Sequence, residues 1–211
     1  MTPLRGLYAI TPTDLVTRAG LTQAVEQAIA GGARVLQYRD KSADPVRRLD
    51  RALALQAQCL AAQVPLVVND DLELAVRVGA AGVHLGRADA DPATARSRLG
   101  PAALIGVSCY NDYALAEGAS AAGASYVAFG SFFPSVTKPE AVPATPELLR
   151  RARRELGLPV VAIGGITPEN GRALIDAGAD MLAVISALFD QPDIAAAARA
   201  FASLFREEPD P

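Results

Sequence analysis

A chain of 211 residues with 20 Lys+Arg against 23 Asp+Glu carries a formal net charge of −3, which excludes a nucleic-acid binder working through a broad basic face. With 51% hydrophobic and 20% charged residues the chain is not disordered, and its length is ample for one sizeable core. Two cysteines and one histidine exclude a disulfide framework, a four-thiolate zinc site and a multi-histidine metal centre. Short apolar runs at 4–10, 34–38, 65–68, 82–85, 103–107, 125–129, 159–163 and 181–185 alternate along the chain with helix-like stretches. Those stretches lie near 21–30, 45–63, 70–78, 91–98, 111–121, 145–156, 168–177 and 193–206. Several runs are continuous rather than alternating, as parallel strands covered on both faces require. Asp91-Pro92, Thr145-Pro146 and Thr167-Pro168 read as N-caps followed by proline at the first helical position.

Four Gly-Ala pairs, at Gly32, Gly79, Gly123 and Gly178, each precede a strand, about two strand–helix units apart. Four such quarters closing on themselves give a single (β/α)₈ TIM barrel spanning 1–211, with 206–211 as a frayed tail. An open doubly wound sheet is the other arrangement of the same elements. It lacks support because no Gly-rich dinucleotide turn follows the first strand. The N-terminus carries no basic cluster ahead of a long apolar run, and no stretch of ~20 apolar residues occurs. The expectation is a soluble, cytoplasmic protein with no membrane or nucleic-acid partner.

In such a barrel the chemistry gathers where strands end. The second run ends in Gln37-Tyr38-Arg39-Asp40-Lys41, where period 2 can turn Gln37, Arg39 and Lys41 to one side. That set suits a polyanion; a solvated loop with an Arg–Asp pair is the bland reading. The third ends in Asn69-Asp70-Asp71 and the fourth leads through His84 to Arg87 and Asp89. Asp70 and Asp89 at adjacent strand ends suit Mg²⁺, which borrows phosphate oxygens, while helix capping by Asp70 or Asp71 and by Asp89 or Asp91 is the alternative. His84 reads as a core histidine bonded to backbone, and a Ser108–His84–Asp89 triad lacks a nucleophile elbow. The fifth strand ends at Ser108. The stretch 130–139 is either a lid over a substrate or a surface loop. Gly164-Gly165 and the helix starting after Ser186 fit a phosphate site at the last two strands, with a tight turn as the plain reading of the glycines. Two anionic subsites result, one at strands two to four and one at strands seven and eight.

Together Gln37-Tyr38-Arg39-Asp40-Lys41, Asn69-Asp70, Gly82-Val83-His84-Leu85-Gly86, Gly106-Val107-Ser108, Ser135-Val136-Thr137-Lys138, Ala162-Ile163-Gly164-Gly165-Ile166 and Ala183-Val184-Ile185-Ser186 resemble the thiamine-phosphate synthase (thiamine-phosphate pyrophosphorylase) family. The resemblance runs from about Leu7 to Ser186. It implies a (β/α)₈ transferase that joins hydroxymethylpyrimidine diphosphate to thiazole phosphate, giving thiamine phosphate and diphosphate. It implies pyrimidine diphosphate on Gln37, Arg39, Lys41, Asn69, Ser108 and Lys138. It implies Mg²⁺ on Asp70 and Asp89, and thiazole phosphate on Ser135, Thr137, Gly165, Ile185 and Ser186. The implied reaction is dissociative, with Arg39, Lys41 and Lys138 as the catalytic cations. Three departures stand out: Arg87 where the family often has Gln, Ser135 as the first loop hydroxyl, and Ser131 where Pro is frequent. A thiazole tautomerase of the same fold resembles the chain less well, because its loop histidine is Ser131 here. A non-catalytic barrel binding thiamine or thiazole phosphate is the rival from another class.

Overall fold

The computed structural model describes residues 4–13, 15, 20–134 and 142–206. Eight parallel strands close into a barrel in sequence order, β8 pairing back onto β1. The first half runs β1 (Gly6–Ile10), α1 (Leu21–Ala30), β2 (Ala33–Tyr38), α2 (Pro45–Ala62), β3 (Leu66–Asn69), α3 (Leu72–Val78), β4 (Gly82–Leu85) and α4 (Pro92–Leu99). The second half runs β5 (Leu104–Tyr110), α5 (Tyr113–Ala121), β6 (Tyr126–Phe129), α6 (Pro146–Glu155), β7 (Val160–Ile163), α7 (Pro168–Asp176), β8 (Met181–Val184), α8 (Ser186–Phe189) and α9 (Ile194–Ser203). The (β/α)₈ expectation holds, and the open sheet is excluded by the β1–β8 ladder.

Two apolar layers explain the continuous runs. Tyr8, Ile10, Val35, Val67, Leu104, Tyr126, Val161 and Met181 fill the barrel interior. Their neighbours in sequence, such as Leu7, Leu36, Leu66, Val83, Ile105, Val127 and Leu182, face outward onto Val25, Leu55, Ala75, Leu149, Leu174 and Phe201 of the helices. Every side chain along β1, β4, β6 and β8 is buried, and only the period-2 alternation separates the layers.

Helix starts follow the local chemistry. Asp44, Asp71, Asp91, Asp112 and Asp193 each accept a hydrogen bond from a backbone N–H in the first turn of the helix that follows. The expected helix at 70–78 begins only at Leu72, because Asp71 is its cap. β5 continues to Tyr110 rather than ending at Val107, with an irregular register between Ser108 and Tyr110, so Ser108 lies inside the strand. The helix after β8 is a four-residue turn ahead of α9. Residues 207–211 of the expected tail lie outside the described residues. Among the described residues no helix is long and apolar enough to cross a membrane. Cys59 and Cys109 are free and buried, and burial pushes both thiols up to about 12.

Candidate active site

The carboxyl ends of the strands surround a cavity of about 400 Å³. Alternation along β2 turns Gln37 and Arg39 into it, where they meet Asn69 from β3, Ser108 from β5, Gly165 after β7, and Ile185 and Ser186 after β8. Arg39 is held at two points: its backbone N–H donates to Thr11 Oγ1 (2.9 Å), and Nη1 donates to Thr13 Oγ1 (2.9 Å). The Arg39–Asp40 pair of the bland reading is not what holds Asp40. Asp40 instead accepts from the Tyr38 hydroxyl (2.9 Å) and the Ser42 N–H (2.8 Å), which anchors the β2–α2 turn. Burial opposes ionisation of Asp40, but the Ser42 and Tyr38 bonds together hold its carboxyl below the ordinary range.

Asn69 also borders a second recess of about 270 Å³, shared with Lys41, Asp70, Asp71 and Arg48. Asp71 is spent on structure: its side chain caps α3 through Leu74 N–H (2.8 Å) and pairs with Arg48 Nη2 (2.6 Å). Asp91 likewise caps α4 through Thr94 N–H (3.0 Å). That leaves Asp70 and Asp89 uninvolved in capping. Asp70 takes a left-handed backbone conformation (φ 62°), pairs with Lys41 Nζ and lies near enough to Asp89 for the two carboxyls to perturb each other. Asp89 accepts from the Gly86 N–H (2.6 Å). Burial and the adjacent Asp70 push the Asp89 carboxyl up, against the Gly86 bond. For Asp70 burial acts the same way, yet the Lys41 ammonium and the neighbouring Asp89 carboxyl hold it below the usual range. Two carboxylates side by side, each raising the cost of ionising the other, could hold a cation. Among the described residues no group of three or more His, Cys, Asp or Glu converges, so a cation there must draw its remaining ligands from substrate or water, as Mg²⁺ does.

The glycine pair after β7 has a steric reason. Gly164 (φ 104°) and Gly165 (φ 62°) are left-handed, and side chains there would collide with Ser131 Oγ at 2.0 Å and Pro134 O at 2.4 Å. The two glycines let the loop after β6 lie directly on the β7 end, where Phe133 N–H donates to Gly164 O (3.0 Å). Ser135, Thr137 and Lys138 of that loop lie outside the described residues.

Sequence reasoning missed the cavity floor. Gln37 Nε2 donates to Tyr8 Oη (2.9 Å), which bonds Tyr126 Oη (2.7 Å), which bonds His84 Nδ1 (3.1 Å); His84 Nε2 meets Ser108 Oγ (2.9 Å). His84 is thus a core histidine, but these bonds go to side chains rather than backbone. Its second nitrogen meets Tyr126 Oη, the place that a Ser108–His84–Asp89 triad would give to Asp89. Burial pushes the Tyr8 hydroxyl up to about 12 and Tyr126 well above its ordinary value. Gly106 makes room for this floor, since a Cβ there would lie 2.1 Å from Tyr126 Cζ. Tyr110 also borders the cavity, with the Arg87 guanidinium 5.3 Å over its ring, which is where the departure at Arg87 goes.

Comparison with known proteins places these features. A family model described as thiamine monophosphate synthase matches residues 7–188. The chain is 54% identical to the thiamine-phosphate synthase of Nitrosococcus oceani over 202 residues, 96% of this chain and 93% of that one. It is 55% identical to the protein of the same name from Azoarcus sp. over 202 residues, 96% and 98% of the two chains. Among solved structures it resembles the thiamine phosphate pyrophosphorylase from Pyrococcus furiosus, with a TM-score of 0.85, 31% identity and 96% of each chain covered.

Proposed function

The chain belongs to the thiamine monophosphate synthase family, an enzyme family, and on that premise we propose that its barrel mouth joins hydroxymethylpyrimidine diphosphate to thiazole phosphate, releasing diphosphate and thiamine phosphate. The observation that carries this reading is the meeting of Asp70 and Asp89, freed from helix capping, beside Lys41 and next to the cavity that holds Gln37, Arg39 and Ser108. A transferase that expels diphosphate needs such a cluster at one end of its site and a neutral, hydrogen-bonding phosphate seat at the other. Gly165, Ile185 and Ser186 supply the second.

The chemistry divides among the residues as follows. Gln37, Asn69 and Ser108 orient the pyrimidine ring, and Arg39 and Lys41 receive the diphosphate. Lys138 joins them on the strength of the family resemblance. Asp70 and Asp89 fit Mg²⁺, as hard oxygen donors in mutual contact beside the diphosphate end. Bound there, the ion would supply charge neutralisation to the leaving group. As diphosphate departs, the aminopyrimidine ring delocalises the cation left on its methylene carbon, so no protein nucleophile is needed. The thiazole, held by its phosphate at Ser135, Thr137, Gly165, Ile185 and Ser186, then attacks that carbon through its ring nitrogen. Holding both reactants in register supplies the rest of the acceleration.

The tautomerase reading is not favoured. Ser131 donates to Phe133 O (2.7 Å), so its hydroxyl serves the loop, and the only histidine in the chain is His84 on β4. Incubation of the pure protein with both phosphorylated substrates and Mg²⁺ tests the proposal. Diphosphate should appear only when both are present, and none at all would reject it.

A further inference from the structure

Across the barrel interior five side chains from five strands form one unbroken hydrogen-bonded line: Gln37 (β2), Tyr8 (β1), Tyr126 (β6), His84 (β4) and Ser108 (β5). The middle three are buried and lie outside every residue set carried over by family resemblance. Tyr8 meets Tyr126 edge to face (74°, centroids 5.9 Å apart), and Tyr126 stacks on His84 (28°, 5.7 Å). The rings are thus fixed by packing as well as by bonding.

Each phenol has one proton, and a neutral imidazole has one N–H and one bare nitrogen. Where each hydroxyl accepts from one neighbour and donates to the next, the first bond sets the direction of the rest. Gln37 donates its Nε2 proton to Tyr8 Oη. Tyr8 then sends its own proton to Tyr126, and Tyr126 sends its proton to His84 Nδ1. With Nδ1 accepting, the ring proton sits on Nε2 and points at Ser108 Oγ. Ser108 accepts, and its own hydroxyl proton is left for the cavity. At the other end Gln37, its nitrogen tied back to Tyr8, offers its Oε1. The other complete ordering has Tyr8 accepting from both Gln37 and Tyr126 and the His84 ring proton on Nδ1, so the tautomer of His84 separates the two. Burial keeps both phenols protonated, so neither link is lost by ionisation near neutral pH.

We propose that this line is a polarised relay in which Tyr8, Tyr126 and His84 act as positioning residues. It fixes an acceptor at Gln37 and a donor at Ser108 on the cavity wall, and so selects a ring that offers an amino donor beside a ring-nitrogen acceptor. The inference rests on the reading of the site as a pyrimidine diphosphate seat and names how that seat recognises the ring. Its counterpart prediction concerns the 4-oxo analogue of the pyrimidine, which presents an acceptor where the amino group presents a donor. The wild-type protein should reject that analogue strongly, because it would face Gln37 oxygen to oxygen, and polar mismatches of this kind discriminate by orders of magnitude.

His84 is the only histidine in the chain, so one long-range ¹H–¹⁵N spectrum of the substrate-free protein reads its tautomer without ambiguity. A neutral ring with the proton on Nε2 is expected at pH 7.5; a proton on Nδ1, or an imidazolium, overturns the proposal. Tyr126→Phe removes the central link. It should reduce discrimination between the amino and 4-oxo pyrimidine diphosphates by at least about tenfold. The KM for thiazole phosphate should move by less than about twofold, a split that a general loss of structure would not produce. Unchanged discrimination in a folded Tyr126→Phe protein overturns the relay, and if that variant does not fold, the wild-type tautomer decides. The tautomer is read without substrate. A wild-type protein that shows the Nε2 proton but releases no diphosphate would therefore refute the functional reading and leave the relay standing, and the converse result would do the opposite.

Discussion

Replacing Gly106 with alanine should damage the barrel interior far more than one added methyl group suggests. A Cβ at that position would lie 2.1 Å from Cζ, 2.3 Å from Oη and 2.5 Å from Cε2 of Tyr126. Carbon atoms in contact settle at roughly 3.5–4.0 Å, so the ring tip must retreat by more than about 1 Å. Tyr126 is only 1% exposed and packed between Tyr8 and His84, so any retreat disturbs both contacts. Overpacking of this kind costs about 1–3 kcal/mol. Retreat also breaks the bonds to Tyr8 (2.7 Å) and His84 (3.1 Å), and unsatisfied buried partners add about 1–3 kcal/mol. The sum, about 2–6 kcal/mol, corresponds to a fall in Tm on the order of 4–24 °C for a chain of this length. Calorimetry of the purified variant measures it directly. In a Tyr126→Leu background the shorter side chain has no atom where Cζ lies, and the same Gly106→Ala change should then cost less than about 1 kcal/mol, a strong non-additivity. A Tm within about 2 °C of wild type, or a full penalty that persists in the Tyr126→Leu background, would refute the steric argument.

Asp89→Asn should lower the rate of diphosphate release by about 10²-fold and raise the Mg²⁺ concentration needed for half activity, while leaving Tm nearly unchanged; equal activity at every Mg²⁺ concentration would remove Asp89 from the site. Asp71→Ala should do the reverse, removing the α3 cap and the Arg48 pair at a cost of about 1–2 kcal/mol while the Mg²⁺ requirement stays put, as denaturant melts and the same assay would reveal. Folding raises the Tyr8 hydroxyl from 10.0 to about 12, so its contribution to stability is complete below pH 10 and is lost as pH rises through 12, by about 3 kcal/mol. Absorbance at the phenolate band should accordingly show Tyr8 and Tyr126 titrating only together with unfolding, and a smooth titration of all five tyrosines near pH 10 in the folded protein would contradict this. Arg96 donates to the carbonyls of Gly100, Pro101, Ala103 and Gly123 and to Ser125 Oγ (2.8 Å), tying α4 to the starts of β5 and β6. Arg96→Ala should cost about 2–4 kcal/mol in a denaturant melt, and Arg96→Lys should recover less than half of it, because one ammonium cannot span the same fork.

The barrel was readable because its rules are local. Continuous apolar runs mark strands buried on both faces, and the expected cap at Asp91 forms, whereas Thr145 precedes its helix without a side-chain cap bond. β5 escaped this logic: Ser108 and Tyr110 look like loop residues, yet the ladder to β6 carries them as far as Phe129 despite an irregular register. Tertiary pairing overrode composition there. The cavity floor was illegible for a different reason. Tyr8 and Tyr126 are 118 positions apart, and His84 and Tyr126 are 42 apart, so nothing nearby in the chain announces that three buried polar tips converge. Only Gly106, a glycine inside an apolar strand, carried a trace of it, because a missing side chain in a strand marks a close approach by something else.

The anionic end of the site could be read only as alternatives, since Asp is both the common helix cap and a common cation ligand. At the β3 and β4 ends the structure uses one aspartate as the cap and leaves the other out of it. After β3 the chain places two aspartates in succession, and after β4 it places Asp89 and Asp91 two residues apart. In each case the later residue accepts from the first turn of the helix, and the earlier one is turned back over the strand ends. For Asp70 the turn is achieved by a left-handed backbone, an uncommon conformation that Asp tolerates better than most residues. A single aspartate could not do both, because a carboxylate engaged with helix N–H groups points along the helix axis and away from the mouth. Doubling the residue separates the stability of the α3 and α4 starts from the charge at the site. The same duplication brings Asp70 and Asp89 close enough for the two carboxyls to perturb each other, and that repulsion is relieved by Lys41 in the free site and would be relieved more fully by a divalent cation when the diphosphate arrives.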